Sequence, residues 1–513
     1  MSTEVIVVGA GPTGLMLGCE LALAGVRTLI VERRHAPQPN SRALTLHPRS
    51  IELMDLRGLA PRFLGHGRTA HGWHFAGLDT QLDFTALDTR HGYTLFIPQA
   101  RTETLLEERA RELGVEILRG HEVVGVHQDA EGVEVDVRGP EGEQTVRARY
   151  VVGCDGGRSS AREAAGVGFP GTDETMTGIL GDFAIVDRND PALQRARARG
   201  VLIVPLDGNI TLFVCIDPAR MRVSAHEPVT LDEFRSSLRS LCGSDCGIDE
   251  PRWLSRFGNA TRLAERYRAG RILLAGDAAH IHFPAGGQGL NTGLQDAMNL
   301  GWKLAAEVHG WAPPGLLDSY DTERRPVGQA VTENTEVQTL LAELTLVDQY
   351  ARPAAALREL IDELLGMEVV NRCLAGRVSA LDTGYPPAGA NADALIGRRM
   401  PDIGLTAAAS NATRANELLL HGRFALLDFA GDEALRPAVE TGWAERVNTV
   451  TVTQHDDHPE LEGVTEVLVR PDGHVAWASR SSDTDARRTE RTAALADWAG
   501  LSKDALPTPR SGA

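Results

Sequence analysis

Four nearly unbroken apolar runs stand out along the chain: 5–8 (VIVV), 28–31 (TLIV), 150–152 (YVV) and 272–275 (ILLA). Runs this short and without alternation predict strands buried on both faces, as in a parallel sheet. Each ends abruptly, at Gly9, Glu32, Gly153 and Gly276. Between the first two, an apolar stretch over 15–24 closed by Gly25 predicts a helix. After the fourth, Leu294, Ala297, Met298, Gly301, Leu304 and Ala305 recur at i, i+3, i+4 and i+7, a helix with one apolar face. Asn291, and Thr292 with Gln295 at capping-box spacing, mark its expected start.

The middle and the tail follow other patterns. Residues 183–186, 201–204 and 211–214 read as strands of a separate sheet. Trp73, Phe75, Tyr93 and Phe96, upstream, supply aromatic surface. Residues 340–395 read as mostly helical, with Leu340, Leu341, Leu344, Leu357, Leu360, Ile361, Leu364 and Leu365 spaced for packing. Tyr385-Pro386-Pro387-Ala388-Gly389 reads as a linker. Beyond it, 424–429 and 464–469 are strand candidates, and Pro471-Asp472-Gly473 turns the latter into a strand over 474–477.

The chemistry collects where strands stop. Gly9-Ala10-Gly11-Pro12-Thr13-Gly14 is a G-x-G-x-x-G between strand and helix, and Glu32 ends the next strand eighteen positions beyond the last glycine. That is the dinucleotide fingerprint in its required context: glycines for the tight turn and close pyrophosphate approach, a carboxylate for a ribose hydroxyl. The strand at 150 stops at Asp155-Gly156, and the one at 272 stops at Gly276-Asp277. Phe283-Pro284-Ala285-Gly286-Gly287-Gln288-Gly289 then leads into the helix. Free amides and the positive dipole end at such a helix start suit a phosphate, or a flat ring that gains negative charge when reduced. Three strand ends converging on one long ligand point to FAD, whereas a nicotinamide dehydrogenase needs only the first. With no second fingerprint, NAD(P)H is expected to bind transiently in a shared groove.

Length and charge narrow the class. A chain of 513 residues supports two or three domains, and a formal charge of −18 argues against nucleic acid or an anionic membrane as partner. No run reaches the length of a membrane span and no leader precedes the first strand, so a soluble cytoplasmic protein is expected. The six cysteines are scattered, which suits a reducing compartment, and Cys242 and Cys246 read as free thiols. His280 and His282, spaced i, i+2 without further ligands nearby, do not make a metal site.

GAGPTG, then VGCDGGRSS, then LLAGDAAH followed by PAGGQGLN resembles the single-component FAD-dependent aromatic hydroxylases, the para-hydroxybenzoate hydroxylase family, and within it the aromatic polyketide and antibiotic branch. The likeness covers about the first 340 residues and, more weakly, the tail. It implies an α/β fold: a Rossmann-like FAD-binding domain (1–170 and 257–345), an inserted mixed-sheet substrate domain (171–256), a helical segment and linker (346–394), and a thioredoxin-like domain (395–513). The last has no cysteine, so a structural or dimer-supporting role is expected rather than dithiol exchange; the protein is expected to be a monomer or homodimer.

The same likeness implies site residues. Gly9, Gly11, Thr13, Gly14, Glu32 and Arg33 would hold the adenosine and pyrophosphate, with a backbone contact from Val123 at the adenine. Asp155, Gly156 and Asp277 would take the middle of FAD, and Pro284, Gly287, Gly289, Leu290 and Asn291 the flavin ring. Ser41-Arg42-Ala43 matches a loop whose arginine lies near the flavin, and Gln99, after Ile97-Pro98, matches a glutamine that reaches FAD. Read alone, Arg42 could equally be a solvated surface residue and Gln99 a loop capper. Phe283 departs from the family, which often has a second proline there.

The implied activity is an NAD(P)H-consuming, FAD-dependent monooxygenase that hydroxylates a polycyclic aromatic polyketide with O₂ through a flavin C4a-hydroperoxide; NADPH is the reductant the family favours. No protein nucleophile is required, and Arg42 and Pro284 are the nearest positioning candidates. Baeyer–Villiger oxidation, antibiotic inactivation, or sequestration of an aromatic antibiotic by a non-catalytic flavoprotein are the alternatives.

Overall fold

The computed structural model describes residues 3–502 except 39, 41–42, 207–208, 387–392, 409 and 433–434. The four apolar runs form strands Val5–Val8, Thr28–Glu32, Tyr150–Gly153 and Ile272–Leu274. They are mutually parallel and joined by Glu116–Arg119, with Arg268–Ala269 antiparallel at the opposite edge. Side chains from both faces are buried, which explains the missing polar alternation: Val5 and Val7 pack against helices Pro12–Leu23 and Gln288–His309. Ile6, Val8, Leu29 and Val31 pack against an antiparallel meander, Glu122–Gln128, Val133–Gly139 and Gly142–Ala148. The meander was not anticipated above, although Val133, Val135 and Val137 alternate with polar residues as a one-sided strand should.

Both helices begin earlier than expected. The first opens at Pro12, whose fixed φ and missing N–H suit the first helical position. The second opens at Gln288, which corrects the start expected at Asn291: Gly287, left-handed at φ 70°, makes the turn into the helix. Thr292 is therefore not a cap; its Oγ1 donates back to the carbonyl of Gln288 at 3.0 Å.

The second sheet runs Leu202–Pro205, Thr211–Cys215, Thr177–Ile185, Asp249–Gly258, antiparallel throughout. The strand expected over 183–186 is thus the end of a longer one, and Asp249–Gly258 was not anticipated. Ile179, Phe183, Phe213 and Cys215 on one face pack against Phe234 and Leu238 of the helix Leu231–Cys242.

Ser319–Glu343, Ala351–Leu365 and Glu368–Ser379 are helices. The packing expected of their leucines holds for one stripe only. Leu341 and Leu365 join Phe75 and Phe84 in a small core, whereas Leu340, Leu357, Leu360 and Leu364 are exposed.

Tyr385 is buried rather than a free linker residue, and Pro387-Ala388-Gly389 lie outside the described residues. The tail sheet runs Leu405–Ala408, Val447–His455, Phe424–Asp428, Glu466–Val469, Val475–Ser479, with the second and third parallel. That 1-3-2-4-5 order, flanked by helices Leu435–Trp443 and Thr484–Ala499, is thioredoxin-like. No helix among the described residues is long and apolar enough to cross a membrane.

Candidate active site

Three strand ends form one corner. Gly9 N donates to Val31 O (2.8 Å), Cys154 N to Val8 O (2.8 Å) and Ala275 N to Gly153 O (3.0 Å), so the ladder continues into each turn. Gly9 has φ 103°, and a Cβ there would lie 2.5 Å from Cys154 O; a Cβ on Gly14 would strike Gly9 O. These two glycines serve backbone packing. Thr13, expected on the cofactor, packs its side chain against Gly276 and Gly293, locking both helix starts to the third strand end.

Gly11 differs: it is the extended N-cap, with no side-chain cap, and a Cβ there would meet nothing within 4 Å. The first turn of Pro12–Leu23 therefore begins beside open space, the setting in which helix-start amides can take a phosphate. Glu32, 8% exposed, accepts from Ala10 N (2.8 Å) and Arg34 N (2.9 Å), which leaves carboxylate lone pairs for a ribose hydroxyl. Arg33 is exposed beside it. His121 N donates to Glu32 O (3.0 Å), bringing Val123 to this corner, where its side chain is core and only its backbone is presented.

Asp155 turns its carboxylate to its own helix start. It accepts from Ser160 N (2.7 Å), Ser160 Oγ (2.9 Å) and Ser159 Oγ (2.5 Å), while Gly156, at φ 86°, faces open space. Asp277 is exposed on the turn Gly276–Ala278. Gln99 holds Ala43: its Oε1 accepts from Ala43 N (3.3 Å) and its backbone N donates to Ala43 O (2.9 Å). Arg42 itself lies outside the described residues.

At the other end, Gly286 and Gly287 are left-handed (φ 68° and 70°), and the first turn of Gln288–His309 again has no side-chain cap. Pro284 is exposed, Gly289 and Leu290 half-buried. A Cβ on Gly289 would meet only the His282 ring, at 3.5 Å, which leaves room for a flat ring against the backbone. Asn291 faces inward: Oδ1 accepts from His47 N (2.8 Å), and Nδ2 donates to Gly287 O (2.8 Å) and Thr45 O (3.2 Å). Both helix starts thus lack a side-chain cap and present first-turn amides, the setting that suits a phosphate or a ring edge that gains negative charge.

Comparison with known proteins decides the family. Residues 2–335 match the FAD binding domain family and 393–501 the aromatic-ring hydroxylase C-terminal family. The chain is an FAD-dependent aromatic-ring hydroxylase. It is 47% identical over 482 residues to the rifampicin monooxygenase of Streptomyces venezuelae, covering 93% of this chain and 95% of that one. It is 44% identical to the 12-dehydrotetracycline 5-monooxygenase/anhydrotetracycline 6-monooxygenase of Streptomyces rimosus subsp. rimosus, covering 98% and 99%. The solved anhydrotetracycline hydroxylase of Streptomyces rimosus superposes with a TM-score of 0.86 at 43% identity, covering 98% and 100%. The protein is thus a flavin monooxygenase.

Several residues that shape this hydroxylase's loop escaped the motif reading. Asp296, wholly buried, accepts from Gly276 N (3.0 Å), His280 Nε2 (2.8 Å) and Arg324 Nε (2.8 Å). Burial opposes its ionisation, but Arg324 and His280 hold its carboxyl below the usual range. It fixes the turn that carries Asp277.

His47 fixes the glycine loop. Its Nε2 lies 2.7 Å from Gly286 O and its Nδ1 3.1 Å from Thr94 Oγ1, while Trp73 Nε1 donates to the same carbonyl at 2.9 Å. Burial pushes the imidazole down to about 4, so it is neutral at pH 7. A carbonyl only accepts, so Nε2 carries the proton and Nδ1 accepts from Thr94. The one legible signal was Trp73, named above as aromatic surface; His47, between Leu46 and Pro48, carried none.

Gln288 and Gln338, both buried, leave Nε2 without an acceptor beside Gly286. Buried donors without acceptors are costly unless a ligand or water completes them.

Proposed function

We propose that this hydroxylase oxygenates a polycyclic aromatic, polyketide-type molecule, using NADPH as transient reductant and O₂ as oxidant. The observation that carries the reading is the face of the second sheet turned away from the helix Leu231–Cys242. Leu180, Leu212, Val214, Trp253 and Phe257 line it, several of them half-exposed, and Phe257 meets Phe283 of the glycine loop with ring centroids 5.6 Å apart. A flat apolar roof ending on the loop suits a flat apolar substrate.

Bound FAD supplies the redox chemistry, activating O₂ once a nicotinamide has reduced it. The chain's own residues do the rest. Gly11, Glu32, Arg33 and the Val123 backbone bind the adenosine diphosphate half; Gly156 and Asp277 flank the middle. The amides of Gln288–Leu290 face the ring edge where negative charge develops, and His47, Trp73 and Asn291 keep that loop rigid. Arg42 and Pro284 position the ring, Thr13 and Asp155 support the cradle indirectly, and the nicotinamide shares the groove without a domain of its own. We take the division at 170, 256, 345 and 394, and a reducing cytoplasmic location, as parts of the same reading; the six free thiols support the latter.

The test is FAD-loaded protein with NADPH and ¹⁸O₂ over a panel of anthraquinones and naphthacenes. A product carrying one ¹⁸O with its ring system intact is expected. A ring-expanded lactone of the same mass would replace hydroxylation by Baeyer–Villiger oxidation. NADPH consumption without oxygenated product would leave a sequestering flavoprotein.

A further inference from the structure

Asp182 is a buried charged side chain on the face of the second sheet turned away from the helix Leu231–Cys242. Along Thr177–Ile185, Gly178, Leu180 and Asp182 alternate to one side, and Ile179, Gly181 and Phe183 to the other. Antiparallel register extends both sets. Gly178 pairs with Phe257, Leu180 with Ser255 and Val214, and Asp182 with Trp253 and Leu212. The other set is sealed by helices in the Phe183–Phe213–Phe234 core. Asp182 therefore projects on the side that ends at Phe257 and Phe283, against the glycine loop. It is 6% exposed, its Oδ1 is shielded from solvent with no hydrogen-bond partner, and no ion pair reaches it among the described residues. Burial alone, with no charged neighbour contributing, pushes its carboxyl up to about 6. Its cross-strand neighbours are Leu212 and Trp253, with Leu180 beside it on the same strand face, and an unpaired buried carboxylate is destabilising.

We propose that Asp182 is a specificity-determining residue that accepts a hydrogen bond from a hydroxyl on the substrate edge remote from the flavin. The proposal rests on the polycyclic-aromatic reading above. Four residues separate Asp182 from Gly178, at the level of Phe257 and Phe283, about 13 Å at about 3.3 Å per residue. A substrate of three or four fused rings spans that length, so one end ring can lie on the glycine loop while a phenolic or enolic hydroxyl at the other meets the carboxylate. Such an O–H···O⁻ bond is charge-assisted and shielded from water, the setting in which it discriminates best.

The experiment compares 2,6-dihydroxyanthraquinone with 2,6-dimethoxyanthraquinone, matched in ring system and differing in the end-on O–H. Dissociation constants come from the flavin absorbance change in FAD-loaded wild type, Asp182→Asn and Asp182→Leu, with melting temperatures beside them. Wild type should prefer the dihydroxy probe at least tenfold; Asp182→Leu should lose that preference, bind the dimethoxy probe at least as well, and melt no lower. Asp182→Asn, which keeps an acceptor, should retain part of the preference. A full preference in Asp182→Leu would overturn the assignment alone, as would a lower melting temperature with the preference intact. Failure of wild type to bind either probe would overturn the polycyclic-aromatic reading and the proposal together.

Discussion

Two junctions on the helix Gln288–His309 make opposite use of polar groups. At its N-terminus, amides face outward uncapped, glycines leave room where a Cβ would stand, and the Nε2 atoms of Gln288 and Gln338 lack acceptors. Further along, Asn299, Trp302 and Lys303 enter a buried ionic knot with Glu323, Arg470 and Asp472. There Arg470 bonds both Glu323 oxygens at 2.8 Å, and Lys303 Nζ lies 2.7 Å from Glu323 Oε2. Arg470 also stands over the rings of Trp302, Tyr385 and Trp498, 5.2, 5.0 and 5.1 Å from their centroids. The first junction leaves polar groups open; the second is densely paired and joins the thioredoxin-like unit to the helix Gln288–His309. The contrast is one of degree: the helix start leaves two amide nitrogens without acceptors beside a glycine loop, whereas at the knot charged groups are densely paired, with Asn299 Oδ1 and His474 Nε2 left over.

The largest way to break the comparison is at the knot. Arg470→Met leaves Glu323 and Asp472 buried beside too little positive charge, at a cost of about 3–5 kcal/mol. Urea unfolding should show that loss, while the folded fraction at low urea keeps its bound FAD. Flavin released with unchanged stability would mean that the knot belongs to the cofactor site instead.

Next comes a pair of glycines in one motif. Gly14→Ala drives a Cβ into Gly9 O and should cost about 1–3 kcal/mol of stability as well as FAD. Gly11→Ala has open space, so its melting temperature without cofactor should match wild type while FAD affinity falls about tenfold, or about 1.4 kcal/mol. Equal effects from both would erase the distinction between packing glycines and ligand-facing ones.

Acid titration reads the pinned loop. His47 is held near 4 against an ordinary 6.5, so between those pH values the unfolded chain binds a proton that the native one refuses. Stability should fall as pH drops from 6.5 to 4, by about 1.4 kcal/mol per pH unit for this group, and His47→Gln should flatten the slope by that amount. An unchanged slope would detach His47 from the linkage.

The smallest effect is expected at Glu32. Glu32→Gln keeps an acceptor for Ala10 N but loses charge toward a ribose hydroxyl, so FAD should dissociate a few-fold faster, with about 1 kcal/mol lost. Full flavin retention on extended dialysis would remove Glu32 from the ribose.

By itself, the chain's pattern determined the parallel sheet, the three strand-end turns and the case for FAD, while the class of enzyme came from the resemblance of those motifs to a known family. Those properties are written in contiguous residues: an apolar run, the glycines that stop it, the acidic residue after the next run. Tertiary structure alone decided which glycines pack and which face open space, because that depends on what lies across from them; Gly11 and Gly14 are indistinguishable as letters. It also decided that Asn291 and Thr292 sit inside the helix, since a left-handed Gly287 had already started it. Asp296, Arg324, His47 and Trp73 came to the site from segments far apart in the chain, and no local period marks them. The same is true of Asp182, whose meaning depends on which face of an antiparallel register is turned away from the helix Leu231–Cys242.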